Sequence, residues 1–167
     1  MGRSQSQNDR ASMMVAAVIL AIAAGACGTG DGTSPPGAGT APPADGGGAT
    51  VAVTLQEWAV VPDTISTASG DVTFTVTNAG PEDEHELVIV RTDLDPGALP
   101  TDETGAVVET GEGIEVVDEV EEIPVGGSEE LTATLEPGAY VLLCNIYSAE
   151  ENEAHYQLGM RTAFSVE

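Results

Sequence analysis

Residues 49–167 predict an all-β fold: a Greek-key β-sandwich carrying a long acidic loop insertion. Apolar residues recur at every second position in several separate runs. Those runs are rich in Val and Thr, and turn residues fall between them. No stripe with helical spacing competes.

Residues 50–58, "TVAVTLQEW", alternate loosely. Residues 71–78, "DVTFTVTN", alternate cleanly, with Val72, Phe74 and Val76 on one face and Thr73, Thr75 and Thr77 on the other. Further strands are expected at "HELVIVRT" (85–92), "SEELTATLEPG" (128–138), "AYVLLCNI" (139–146) and "MRTAFSVE" (160–167). Ala68-Ser69-Gly70 and Glu136-Pro137-Gly138 are turn signals between successive strands. Short strands punctuated in this way build a sandwich. Residues 93–126 resist the pattern. They are acidic and rich in Gly and Pro, and are expected to hold a turn of helix and one edge strand around "GIEVVDEVEEI".

The N-terminus lies outside this domain. Arg3 and Arg10 precede the apolar run "MMVAAVILAIAA", which is followed by small residues and Cys27. Residues 1–26 are expected to be a secretory signal peptide. "AGAC" satisfies the A-x-A rule for ordinary cleavage after Ala26 and also resembles a bacterial lipoprotein box, with Cys27 as the lipid attachment residue. The lipid reading anchors the exported protein to the outer face of the cytoplasmic membrane; ordinary cleavage leaves it freely secreted. Residues 27–48 have no apolar periodicity and are dominated by Gly, Pro, Thr and Ala, as expected of a flexible tether.

Charge is the most extreme global feature. The chain carries 28 acids against 4 arginines and lysines, for a formal net charge of −24. Past the leader only Arg91 and Arg161 remain as cations. That surface excludes nucleic acid as a partner and steers basic proteins towards it; adaptation to salt would leave the same mark.

The folded region holds one cysteine, Cys144, two histidines, His85 and His155, and one methionine, Met160. Exported cysteines normally come in pairs, so a single thiol calls for deep burial or a metal. Two imidazoles and a thiolate in a trigonal plane, with a long axial thioether, hold copper for one-electron transfer. Period two puts His85 on the face of Leu87 and Ile89, and Cys144 on the face of Tyr140 and Leu142. Taken singly, His85 reads as a hydrogen-bonded structural residue, Met160 as core and Cys144 as a plain buried thiol. A single site explains all of them together.

These motifs resemble the cupredoxins, the small blue-copper family that includes plastocyanin and azurin. The likeness rests on a histidine at a strand start after an N-x-G turn ("NAGPEDEHELVIV"), on Y-x-x-x-C from Tyr140 to Cys144, and on the ending "HYQLGM". "VVPDTISTASGDVTFTVTN" is similar to the family's paired N-terminal strands. The resemblance implies one type 1 copper ligated by His85, Cys144, His155 and Met160, and redox protein partners. It departs at one point. Ten residues, "NIYSAEENEA", separate Cys144 from His155, where plastocyanin- and azurin-like sites have only a few. Closing a loop of ten rather than four residues costs only about 0.8 kcal/mol, so the site can form. The insertion leaves the exposure of His155 open and brings Glu150, Glu151 and Glu153 towards the metal.

The function expected is a membrane-tethered electron carrier. The alternatives are a lipoprotein that delivers or sequesters copper, and a metal-free sandwich acting as a binding module. An enzyme is not expected: two histidines cannot furnish the further sites of a multicopper oxidase, and no hydrolytic constellation stands out.

Overall fold

The computed structural model describes residues 48–167. The expected signal peptide, Cys27 and all of the expected tether except Gly48 lie outside the described residues. Among the described residues no helix is long and apolar enough to cross a membrane.

Two sheets face each other. The first runs β2-β1-β4-β7, with β1 (Ala49–Gln56), β2 (Ala59–Pro62), β4 (Gly70–Asn78) and β7 (Ser128–Leu135). The second runs β3-β11-β8-β5-β6, with β3 (Ser66–Thr67), β5 (His85–Arg91), β6 (Glu115–Ile123), β8 (Gly138–Leu143) and β11 (Arg161–Val166). The expected strands are all present. The stretch similar to paired N-terminal strands is organised differently: β2 pairs with β1, β3 with β11, and β4 with β1 and β7, so its members do not pair with one another.

Alternation builds the core. Val51, Val53 and Leu55 of β1 and Val72, Phe74 and Val76 of β4 are buried against Leu87, Ile89, Tyr140, Leu142 and Phe164 of the opposite sheet. Phe74 and Phe164 meet edge to face across the sandwich, 5.9 Å between ring centroids, an arrangement that adds about 0.5–1.5 kcal/mol to the area buried. On the outer face of β4, Thr73 pairs with Thr132 and Thr77 with Ser128, each at 2.9 Å, so even the solvent side of the strand is cross-linked.

In the second sheet β5 and β8 are buried on both faces. Val88, Val90, Val141 and Leu143 point outward into a second cluster with Leu99, Val107 and Tyr156. Residues 93–114 are therefore a cover for this sheet, and the turn of helix expected in residues 93–126 is absent; the expected edge strand is β6. Its exposed acids discourage pairing with another chain.

One irregularity aims a ligand candidate. His85 pairs with Ile123 and Leu87 with Val120, so β6 carries an extra residue there, and Glu122 takes φ 54 to accommodate it. Asn78 braces the same corner. Its Nδ2 donates to the carbonyls of Asp83 (2.8 Å) and Ile123 (2.9 Å), and its Oδ1 accepts the Gly80 N–H at 2.8 Å. Gly80 has φ 60, and a Cβ there would lie 2.7 Å from Val125. The N-x-G turn thus needs both its asparagine and its glycine.

Candidate metal centre

Four residues far apart in the chain meet at the end of the sandwich where β5 begins and β8 stops. His85 opens β5, Cys144 follows β8, and Met160 precedes β11. His155 opens a single-turn helix, α1 (His155–Leu158). Backbone hydrogen bonds clip the pieces together: Cys144 N–H donates to Met160 O, and Met160 N–H to His155 O, both at 3.0 Å.

The donor atoms converge. His85 Nδ1 lies 3.3 Å from His155 Nδ1, and Cys144 Sγ lies 3.4 Å from His155 Nδ1 and 4.0 Å from His85 Nδ1. Exposure is 0% for His85, Cys144 and Met160 and 1% for His155. Met160 packs in the same buried cluster as Cys144.

The triangle fits a metal ion. Bonds of about 2.0–2.1 Å to nitrogen and about 2.3 Å to sulfur in a trigonal plane require donors about 3.5–3.8 Å apart. The observed edges of 3.3–4.0 Å bracket that span. Electrostatics agrees with the geometry. Burial lowers both imidazole pKa values, and the neighbouring His155 adds to the effect on His85, so both rings are neutral with lone pairs to offer. Burial pushes the Cys144 thiol up to about 12, so a metal must displace its proton. The far nitrogens, Nε2 of His85 and His155, are buried without hydrogen-bond partners among the described residues, which is uncommon outside functional sites.

No family model matches the chain, and no curated protein does. Among solved structures, dithionite-reduced auracyanin from Roseiflexus castenholzii is similar at 25% identity and a TM-score of 0.50, over 72% of this chain and 99% of that one. The fold is that of the cupredoxins. Auracyanin A, a "blue" copper protein from Chloroflexus aurantiacus, is less alike at 19% identity and a TM-score of 0.49, over 72% of this chain and 100% of that one. Rusticyanin from Thiobacillus ferrooxidans stands at 17% and 0.48, over 71% and 76%.

On this cupredoxin frame the ten-residue insertion is a small hairpin, β9 (Tyr147–Ser148) with β10 (Glu153–Ala154). It leaves His155 buried, with the Trp58 ring edge-on at 5.0 Å between centroids. The insertion's acids divide. Glu150 and Glu151 are exposed at the hairpin turn, whereas the charges that act on His155 come from Asp83, Glu153 and Glu57.

Sequence reasoning missed the residues that hold the ligands in place. Asn145, next to Cys144, donates its N–H to Glu86 Oε1 at 2.8 Å and grips the covering segment through Val107 N–H, Val107 O and Glu109. Burial raises Glu86 to about pH 7. Tyr156, next to His155, donates its hydroxyl to Pro96 O at 2.7 Å and accepts Leu99 N–H at 3.1 Å. Each flanking residue pins a ligand loop to the cover. No spacing rule connects residues 96–109 to Cys144 or His155, so only the fold could reveal them.

Proposed function

We propose that the chain is a single-electron carrier working outside the cytoplasm. One type 1 copper is held by His85 Nδ1, Cys144 Sγ and His155 Nδ1, with Met160 as the weaker fourth ligand. The observation that carries this reading is the buried triangle of two imidazole nitrogens and one thiol sulfur, a donor set that suits copper in both oxidation states. Copper bound there would supply the one-electron step by alternating between Cu(II) and Cu(I). The protein supplies the rest. Cys144 would give up its proton and become the soft ligand, His85 and His155 would each offer an Nδ1 lone pair, and the packed surroundings would exclude water. Held by strand ends, hairpin and cover, the donors have little freedom to rearrange when the charge between them changes.

Titrating the reduced, metal-free protein with Cu(II) should give one equivalent bound and a blue thiolate-to-copper band. Trp58 is the chain's only tryptophan and stands beside His155, so its fluorescence should be quenched along the same curve. A colourless protein with verified free thiol and excess copper would end the proposal. Burial of all the ligands favours electron traffic over copper delivery, which needs a ligand within reach of an acceptor. Rapid loss of Cu(I) to an external chelator would reverse that preference.

The same reading makes residues 1–26 a leader, Cys27 the lipid anchor and residues 28–48 a spacer. The protein's partner is a basic redox protein, drawn by a surface on which only Arg91 and Arg161 offset the many acids that remain past the leader. Membrane fractions of cells making the full chain should retain it, and Cys27→Ala should release it or leave the leader uncut. Recovery of unmodified Cys27 at the terminus of a freely secreted form would refute the anchor.

A further inference from the structure

The two unpartnered Nε2 atoms have different surroundings. His155 packs against Trp58. His85 instead faces a carboxylate: Glu57 Oε1 lies 3.6 Å from its Nε2. Glu57 sits in the turn between β1 and β2, and its side chain is only 11% exposed. Oε1 accepts the N–H groups of Glu82 (3.0 Å) and Asp83 (2.8 Å), while Oε2 is buried with no partner among the described residues. A carboxylate with one oxygen unpartnered and a ring nitrogen without a hydrogen bond among the described residues are therefore neighbours in the interior. A shift of about half an ångström would bring the pair within hydrogen-bond distance.

The ring has two tautomers. A proton on Nδ1 would point into the donor triangle and occupy the lone pair that a metal needs. A proton on Nε2 meets Glu57 and leaves Nδ1 free. We propose that Glu57 is a positioning residue for His85: its carboxylate holds the proton on Nε2, turns the Nδ1 lone pair into the triangle, and biases a bound copper towards the more highly charged Cu(II). Carboxylate partners on metal-bound histidines act in this way, fixing the ring and raising its basicity. The redox part rests on the copper reading above; the tautomer part needs no metal.

A rival role is mechanical. The two N–H bonds to Oε1 already clamp the β1–β2 turn to residues 82–83, and Glu57 would matter for that alone. Glu57→Gln separates the roles, because the amide oxygen still accepts both N–H groups while the charge is gone.

The test uses the full chain in two states. In the metal-free wild type, nitrogen NMR should find His85 protonated on Nε2; protonation on Nδ1 overturns the proposal. With copper, Glu57→Gln should keep the blue band while the ratio of Cu(II) to Cu(I) affinity falls tenfold or more, an upward shift of about 59 mV or more for a one-electron couple. An unchanged potential in a blue Glu57→Gln protein leaves only the clamp. Should that variant fail to fold, the wild-type tautomer decides. A wild type that refuses copper defeats the copper reading, and the same tautomer measurement still decides the role of Glu57.

Discussion

Cys144→Ser is expected to give a folded protein with no blue colour. The serine hydroxyl cannot replace a thiolate as a soft ligand, and the charge-transfer band needs sulfur. The fold should tolerate the change, since the side chains are alike in shape. Burying a hydroxyl where the thiol is 0% exposed costs about 1–3 kcal/mol. Urea unfolding of the metal-free variant measures that cost, and the visible spectrum with Cu(II) measures the loss. A blue band persisting in Cys144→Ser would place the copper ligand elsewhere.

Asn78→Ala should be the most damaging change away from the triangle, destabilising the metal-free domain by about 2–4 kcal/mol. The asparagine is fully buried and makes hydrogen bonds to Gly80, Asp83 and Ile123. Truncation leaves those backbone groups without their partner in a place water does not reach, at about 1–3 kcal/mol for a buried group left unsatisfied. Because the turn leads directly to His85, copper affinity should fall with stability. A loss under about 0.5 kcal/mol in urea unfolding would show that the corner holds without it.

The sandwich was legible in the sequence because burial on one face of a strand leaves a period of two, and "DVTFTVTN" keeps it without a break. The same arithmetic put His85 with Leu87 and Ile89, and Cys144 with Tyr140 and Leu142, and all six are buried in the structure. What escaped lacks a period. β2 and β3 are too short to show alternation, and α1 is one turn. The cover over the second sheet is hidden because Leu99 and Val107 are scattered among acids and glycines, with burial supplied by a surface not local in sequence. Glu57 is one acid among many until the fold sets it against His85.

The burial of His155 has a consequence for traffic. With every candidate ligand at 1% exposure or less, no imidazole edge reaches the surface for a passing molecule to touch. An electron entering or leaving must cross a wall of protein, and Trp58, part-exposed on one side and against His155 on the other, forms part of that wall. Such insulation acts as a filter. Whatever exchanges electrons with the site does so across that packed shell and not by touching a ligand.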